Sequence, residues 1–170
     1  MPTSARDRSG PKESIRIWVD ADACPRDIRE ILFRAAERRR IPLTLVANRP
    51  IRFRKSPYVQ TLLVPGGLDE ADRAILREAR SGDLVVTADV PLAAAVVEKG
   101  AFALDPRGTL HTEETVGERL SVRDWMDALR GAGMTTAGPP ILRAADRKAF
   151  ADALDRFLAR SVGSSTFRDR

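Results

Sequence analysis

Short apolar runs alternate with segments of helical periodicity along the first hundred or so residues, and this alternation limits the possible folds more than any other feature. The runs are rich in β-branched residues and are predicted as strands. They cover residues 15–19, 43–47, 59–64, 84–87 and 101–104. Strands that alternate with helices form βαβ units, whose strands lie parallel in one sheet. The sequence therefore predicts an α/β fold in which a mostly parallel sheet lies between two layers of helices.

The predicted helices are bounded by residues that favour helix ends. Pro25 stands where the first helix is expected to begin, and Pro42 follows its expected end. Between them, apolar residues recur at helical spacing and predict one buried face. Further helices are predicted at residues 69–80, 91–99, 114–130 and 144–158. The last two follow the predicted sheet, and we expect them to pack on it.

Length and composition indicate one globular domain. A chain of 170 residues with 43% apolar residues can bury a sizeable core, and we expect the domain to span residues 14–160. The polar segments 1–13 and 161–170 are predicted to be flexible tails. No apolar run is long enough to cross a membrane, and the single cysteine excludes an internal disulfide bond. We therefore expect a cytoplasmic protein; the sequence does not indicate its oligomeric state.

Acidic residues recur where the predicted strands end and the predicted helices begin. Asp20 and Asp22 directly follow the first strand, Asp69 and Asp72 open the second helix, and Asp89 follows the strand at residues 84–87. Loops at the carboxyl ends of parallel strands share one edge of the sheet, so carboxylates from three loops are expected to gather there. Clustered carboxylates repel one another, and Mg²⁺ or Mn²⁺ relieves that repulsion because it prefers oxygen ligands. The sequence predicts a site for Mg²⁺ or Mn²⁺ at this edge.

Each of these acids also has an ordinary structural explanation. Asp69 and Asp72 suit the first turn of a helix, where acids favour the helix dipole, and Asp89 suits the cap of the helix that follows it. Asp20 and Asp22 are harder to explain structurally, because aspartate is a poor strand former. Acids recur at three equivalent positions of the predicted topology, and this recurrence, rather than any single acid, indicates a metal site.

A basic cluster lies between the second and third predicted strands. Arg49, Arg52, Arg54 and Lys55 fall within seven residues that contain no acid, in a chain of net charge +5. We expect them to lie at the same edge as the aspartates and to bind a nucleic-acid backbone, although a solvated loop is an equal alternative. Thr87 is expected to orient a carboxylate or a water molecule beside them.

The single histidine and the single cysteine are weaker candidates. Because His111 is the only histidine, a histidine-rich metal site is excluded, and we predict a surface loop residue there. Cys24 lies near the start of a helix, which can lower the pKa of a thiol. A catalytic cysteine usually needs a histidine base, so we predict a small packed residue at that position.

Several motifs resemble those of the YaiI/YqxD family, which is uncharacterised in function. They are DADACP (20–25), GGLDEAD (66–72), DLVVTADVPLAA (83–94), PRG (106–108) and RDWMDALR (123–130), followed by GPP and DR, and they span roughly residues 15–160. The resemblance implies a PIN-like domain, a fold whose members are often Mg²⁺- or Mn²⁺-dependent ribonucleases. It places the acids of that site on Asp20, on Asp69 or Asp72, and on Asp89. The acid pattern here is richer than the usual one, and PIN proteins with altered acids can bind RNA without cutting it.

The leading functional hypothesis is a metal-dependent nuclease that acts on RNA, with Asp20, Asp72 and Asp89 as the catalytic acids. Asp22 and Asp69 are expected to bind the metal as well or to lie beside it. A second hypothesis is a non-catalytic domain that binds nucleic acid or a protein and holds an ion with the same acids. A third is a phosphatase, because DADAC resembles the Asp-x-Asp start of haloacid-dehalogenase-type enzymes. That class also needs a lysine and a late acidic pair, and the sequence offers only Lys99 and no adequate pair.

Overall fold

A computed structural model of the chain describes residues 14–67, 69–117 and 142–166. The strands are β1 (Ile17–Asp20), β2 (Leu43–Ala47), β3 (Val59–Leu63), β4 (Leu84–Val86), β5 (Phe102–Leu104) and β6 (Leu110–His111). The helices are α1 (Arg26–Arg39), α2 (Glu70–Glu78), α3 (Val90–Glu98) and α4 (Ala144–Thr166), and residues 113–117 are also helical. Among the helices of the described residues, none is long and apolar enough to span a membrane.

The six strands form one sheet in the order β3-β2-β1-β4-β5-β6. The first five are parallel, and β6 pairs antiparallel with β5. After β1 the chain adds strands on one side through β2 and β3, and it then crosses to the other side of β1 to form β4 and β5. The order therefore reverses between β1 and β4. In open parallel sheets, this reversal leaves a crevice at the carboxyl ends of the two strands, and ligands bind there.

Alternate side chains of the strands enter two separate cores. In β1, Ile17 and Val19 join the core that contains the buried residues of α1 and α4, whereas Trp18 joins the core of α2 and α3. This alternation follows from the two-residue period of a strand. The sheet consequently has helices on both faces, and the prediction of a mostly parallel α/β sheet flanked by helices is confirmed.

The structure departs from the predicted elements mainly after β5. The short antiparallel strand β6 was not predicted, because two residues give no alternation to recognise. Helix α4 packs on the sheet as expected, but it continues past the predicted end at Leu158 into the segment predicted as a tail. Most of the helix predicted at residues 114–130 lies outside the described residues, as do residues 1–13 and 167–170.

A glycine brings the connection between β5 and β6 against α4. Gly108 has a φ of 92°, and a Cβ atom at this position would lie 2.6 Å from the backbone carbonyl carbon of Ala149. Only a residue without a side chain fits this approach. The turn is closed by Asp105, whose carboxylate accepts from the backbone N–H of Arg107 at 2.8 Å. Gly108 therefore fixes where α4 meets the edge of the sheet.

We predict that Gly108→Ala destabilises the protein more than Gly82→Ala does. Both glycines have a φ of 92°, but a Cβ atom on Gly82 would meet nothing within 4 Å. Gly82→Ala should therefore cost only the backbone strain, about 1 kcal/mol, whereas Gly108→Ala adds about 1–3 kcal/mol of overpacking. Urea unfolding of both variants measures the difference. Equal losses would show that the contact with Ala149 relaxes without cost.

Candidate metal centre at the carboxyl edge of the sheet

Asp20 is the last residue of β1, and the alternation of that strand decides where its carboxylate points. It lies two residues after Trp18 and so faces the same side of the sheet, toward α2. Its side chain is only 8% exposed. A carboxylate buried at the end of a strand loses most of its hydration, which makes its ionised form costly.

The charges around Asp20 add to this cost. The pKa of Asp20 is raised from 3.8 to about 6, mainly by burial and then by the negative charges of Asp72, Asp22 and Asp89, in that order. The backbone N–H of Ala23 acts in the opposite direction, because its hydrogen bond favours the ionised form. Among the described residues, the side-chain charges that shift this pKa are those of acids. Carboxylates from three segments of the chain therefore crowd one buried group.

Of the two acids at the start of α2, Asp72 lies in the first turn as the structural alternative predicted, whereas Asp69 does not cap the helix. Asp69 precedes the helix in the left-handed conformation, with a φ of 63°, and its side chain makes no capping hydrogen bond. The capping explanation is therefore wrong for Asp69. Asp72 lies in the first turn, and its pKa is raised by burial, by the charge of Asp89 and by that of Asp69. The negative charges of Asp89 and Asp69 therefore both disfavour the ionised form of Asp72.

Asp89 does cap the following helix, as the structural alternative predicted. Its Oδ1 accepts from the backbone N–H of Leu92 at 3.0 Å, at the start of α3. Its own backbone N–H donates to the hydroxyl of Thr87, which is 2% exposed. Thr87 therefore orients the loop that carries Asp89. Asp89 caps α3 and also acts on the neighbouring acids, because its charge raises the pKa of Asp20 and of Asp72.

Asp22 links the ends of two strands. Its Oδ2 accepts from the backbone N–H of Asn48 at 3.0 Å, directly after the end of β2. This bond holds the loop after β1 beside the loop after β2. Asn48 was not among the predicted site residues, although the rule that selected Asp20 and Asp22 also applies to a polar residue directly after residues 43–47. Its amide oxygen is a further hard ligand in this region.

Two cavities meet at these acids. One of about 210 Å³ is lined by Asp20, Asp22, Asn48, Asp69 and Asp72. The other, of about 360 Å³, lies between α2 and α3, and Asp69, Asp72, Asp89 and the cation Arg73 line it together with apolar side chains. Asp69 and Asp72 line both cavities. We call the five predicted aspartates, Asp20, Asp22, Asp69, Asp72 and Asp89, the acidic edge.

The side chains of the acidic edge do not surround a common point in this conformation. Within residues 14–67, 69–117 and 142–166, no three acidic, histidine or cysteine side chains are grouped so that they could hold a metal ion. The expectation that Asp20, Asp72 and Asp89 bring their oxygens close enough to share a cation is therefore not met here. The structure does bring the charges together, and the closer arrangement remains a prediction.

The basic loop lies differently from the prediction. Because β2 and β3 are parallel, with Leu43 beside Val59, the chain must return from the carboxyl edge to the amino edge between them. Arg49 follows the end of β2 closely, but the rest of the loop runs toward the opposite edge. Phe53 packs on the α1 side, with its ring 5.7 Å from that of Phe33.

The cations of this loop alternate with its apolar residues. Arg52, Arg54 and Lys55 are exposed, whereas Ile51 and Phe53 are half-buried against the core. The parallel register directs the later part of the loop toward the amino edge, and the binding of a nucleic-acid backbone by these cations stays a prediction. The loop spreads its charges between the two edges of the sheet.

Other polar residues near the strand ends also differ from the predictions. His111 is 3% exposed in β6, so the prediction of a surface loop residue is wrong. Cys24 is buried, burial raises its pKa to about 12, and its predicted role as a packed residue is confirmed. Asp105 is 7% exposed and directly follows β5, as Asp20 ends β1. Asp105 was not among the predicted site residues, although it is also an acid that directly follows a predicted strand, at residues 101–104.

Comparison with known proteins identifies relatives along most of the chain. The sequence profile of a family described as "Uncharacterized BCR, YaiI/YqxD family" matches residues 18–160. A UPF0178 protein of Thioalkalivibrio sulfidiphilus is 56% identical over 146 residues, which cover 86% of this chain and 99% of that protein. A UPF0178 protein of Xanthomonas campestris pv. campestris is 56% identical over 155 residues, which cover 91% and 97%. No solved structure matches the chain, so its likeness to PIN domains stays a prediction.

The raised pKa of Asp20 predicts a specific dependence of stability on pH. The unfolded carboxyl ionises near pH 3.8 and the folded one near 6, so the folded protein keeps a proton that the unfolded chain has released. This contribution to stability is complete below pH 3.8 and is lost as the pH rises through about 6. Asp20→Asn should avoid the loss, because asparagine is uncharged and keeps an oxygen for the N–H of Ala23.

We therefore expect Asp20→Asn to raise the free energy of unfolding at neutral pH by about 1–2 kcal/mol in the absence of divalent cations, after allowance for solvent screening. Wild type and variant should converge at acidic pH. Chemical unfolding across this range, in the presence of a chelator, measures both curves. A variant that is less stable than wild type at neutral pH would contradict the repulsion.

Proposed function

The chain belongs to the YaiI/YqxD family, and from the geometry of its acidic edge we propose that it is a divalent-metal-dependent nuclease that acts on RNA. One observation carries the proposal. Asp20 lies buried at the carboxyl end of β1, beside the reversal in strand order, and the charges of Asp72, Asp22 and Asp89 raise its pKa. A protein that keeps this arrangement keeps a destabilising charge at the place where sheets of this kind bind ligands.

The acidic edge fits a hard cation in its chemistry. Its donors are carboxylate oxygens, the ligands that Mg²⁺ and Mn²⁺ prefer, and Asp20, Asp72 and Asp89 would hold the ion. Asp22 and Asp69 are exposed, so their side chains can turn toward it. When bound, Mg²⁺ or Mn²⁺ polarises a phosphate group and lowers the pKa of a water molecule.

The chain itself positions the acids that such a reaction needs. Asp20 is held by burial and by the N–H of Ala23, and Asp89 is held by the N–H of Leu92. Asp72 lines one cavity with Asp20 and the other with Asp89, and its charge raises the pKa of Asp20. Thr87 keeps the Asp89 loop in place through its hydroxyl. These contacts fix the backbone of the acids on strand ends and a helix start, which are rigid elements, and metal binding would require the side chains to turn toward a common point.

A nucleic acid is the favoured substrate class because the chain is basic and Arg49 follows the end of a strand at the acidic edge; RNA is chosen over DNA because the family resembles PIN-like ribonucleases. The net charge is +5, and Arg49 follows directly on Asn48, which is bonded to Asp22. A guanidinium at this position suits the phosphate next to the one that is cut. We place this activity in the cytoplasm, where the single buried thiol of Cys24 is no liability.

The phosphatase hypothesis is less well supported. Its lysine candidate, Lys99, follows α3 and donates from Nζ to the carbonyl oxygens of Leu76 at 2.6 Å and of Arg77 at 3.4 Å. These carbonyls lie near the end of α2, and Lys99 therefore stabilises that helix terminus. Because α2 begins beside the acidic edge and runs away from it, this lysine is remote from Asp20.

The test is RNA cleavage with matched aspartate variants. Single-stranded and duplex RNA and DNA are incubated with wild type, Asp20→Asn, Asp72→Asn and Asp155→Asn, in Mg²⁺, in Mn²⁺ and in a chelator. Asp155 is a half-exposed residue of α4 that pairs with Arg38 at 2.9 Å, so its variant controls for the loss of a carboxylate. Asp20→Asn and Asp72→Asn should lose at least about a hundredfold of the metal-dependent rate, whereas Asp155→Asn keeps it.

Thermal unfolding with the same cations separates the enzyme from a non-catalytic domain. The enzyme should cut RNA, and the cation should also raise its unfolding temperature in wild type but not in Asp20→Asn. A rise in unfolding temperature that depends on Asp20, without cleavage of any nucleic acid, would favour the non-catalytic alternative. No rise and no cleavage would exclude the metal site.

The course of the basic loop predicts unequal roles for its cations. Arg49→Ala should weaken RNA binding and reduce the logarithmic salt slope by about 0.7 for a single strand, which corresponds to one lost phosphate contact. Lys55→Ala should change neither quantity measurably, because Lys55 lies toward the opposite edge of the sheet. Titration of a fluorescent RNA at several salt concentrations measures both. Equal effects of the two variants would contradict this placement.

A further inference from the structure

The two edges of the sheet differ in how they are protected from pairing with other chains. One edge is β6, which has only two residues, and very short edge strands are a common protection. The other edge is β3, which has five residues, and no strand of the described ranges pairs with its outer side. Charged residues and prolines also protect edges, but the run from Tyr58 to Val64 contains neither. The outer side of β3 is therefore open to another strand.

The backbone of β3 directs alternate residues outward. The ladder with β2 begins with a bond from the N–H of Leu43 to the carbonyl oxygen of Tyr58, at 2.8 Å. It ends with a bond from the N–H of Val64 to the carbonyl oxygen of Ala47, at 3.0 Å. Because the bonded residues of a strand alternate, those between them turn their N–H and C=O groups to the free edge. In β3 these outward residues are Val59, Thr61 and Leu63.

The side chains of the outward residues make this edge apolar. They lie on the α1 face of the sheet, since Val59 belongs to the core on that side. Val59 is buried and Thr61 is half-buried. Leu63 is 56% exposed, more than any other large apolar side chain in the described part of the chain. An open edge that ends in an exposed leucine is a surface for strand pairing.

The edge is complementary to itself when two copies of β3 run antiparallel. If Thr61 lies opposite the partner's Thr61, Leu63 lies opposite the partner's Val59, and this register pairs the whole of both strands. The N–H groups of Thr61 and Leu63 then donate to the carbonyl oxygens of those two partner residues, and the partner does the same in return. The N–H of Val59 is not required, because it donates to the carbonyl oxygen of Ser56 at 3.4 Å.

The charges at the two ends of β3 favour the antiparallel direction. The basic loop joins the amino end of β3, and its Arg54 and Lys55 are exposed. At the carboxyl end, Gly67 and Asp69 line the smaller cavity of the acidic edge. Antiparallel pairing places the amino end of each β3 beside the carboxyl end of the other, so that cations of one copy face acids of its partner. Parallel pairing would place like charges together.

We propose that β3 pairs antiparallel with β3 of a second copy of this chain, about a two-fold axis at Thr61, and that the two sheets join into one. An isologous contact uses the same surface of both copies and closes at the dimer. The short β6 edge offers little for further growth of the sheet. This pairing does not rest on the proposed nuclease activity.

The test is sedimentation equilibrium of the full chain over a concentration series in the presence of a chelator. Wild type should show a monomer–dimer equilibrium. Thr61→Pro removes an outward N–H that the β2 ladder does not use, so the variant should fold and raise the dimer Kd at least about a hundredfold. Leu63→Lys places a charge in the interface and should raise it at least about tenfold. Leu76→Lys, which changes an exposed leucine of α2, should leave it unchanged. Circular dichroism checks that each variant is folded.

Oxidative cross-linking tests the register. Thr61→Cys and Leu63→Cys are each made in a Cys24→Ala background, because Cys24 is the only native cysteine. The Cα atoms of the two residues 61 should lie about 5.5 Å apart, which suits a disulfide bond. Those of the two residues 63 should lie more than about 13 Å apart, since four residues separate them along the ladder. Thr61→Cys should therefore oxidise to a covalent dimer, whereas Leu63→Cys should not, although it is the more exposed position.

Three results would each overturn the proposal. The first is a wild type that stays monomeric up to about 1 mM; if its Thr61 amide is also protected from hydrogen exchange, another segment of the same chain covers the edge. The second is a dimer that folded Thr61→Pro and Leu63→Lys form as tightly as wild type does. The third is cross-linking of Leu63→Cys as readily as Thr61→Cys.

Discussion

The reversal of strand order between β1 and β4 determines where the acidic edge lies. Connections leave these two strands in opposite directions, so no connection covers the space above their carboxyl ends. Asp20 lies at the end of one strand, and Thr87 and Asp89 follow the other. Helix α2 comes from the far side of the sheet, and Asp72 in its first turn reaches the same place. The acidic edge thus follows from topology, since these residues are distant in sequence.

Two buried aspartates show that burial alone does not mark a functional acid. Asp83 is 6% exposed and accepts from the indole N–H of Trp18 at 3.0 Å and from the backbone N–H groups of Arg16 and Arg80. These three donors compensate its lost hydration, and Asp83 fastens the amino end of β4 to that of β1. Asp20 is buried to a similar extent, but acids surround it and its pKa is raised. The two residues have similar burial and opposite electrostatic surroundings, since hydrogen-bond donors compensate the charge of Asp83 whereas acids surround that of Asp20.

The sequence could supply the strands, the sheet direction and the five predicted aspartates, because these depend on local periodicity and on one topological rule. Asp105 and Asn48 follow strands in the same way, and a stricter use of that rule would have included them. The two-residue strand that buries His111 has no period to detect. The spacing of the carboxylates depends on side-chain rotation and on the turn that gives Asp69 its left-handed backbone, and neither can be read from residue types.

Two groups of basic residues show how secondary structure decides whether neighbours in sequence are also neighbours in space. The four cations of residues 49–55 look like one cluster, but the connection between two parallel strands must travel the length of the sheet and separates them. Arg156 and Arg160 are farther apart along the chain than Arg52 and Arg54, yet they line one cavity. The reason is the helical period, which returns every fourth residue to the same face. A basic pair four residues apart on a helix therefore predicts neighbouring charges better than a denser basic run in an extended connection does.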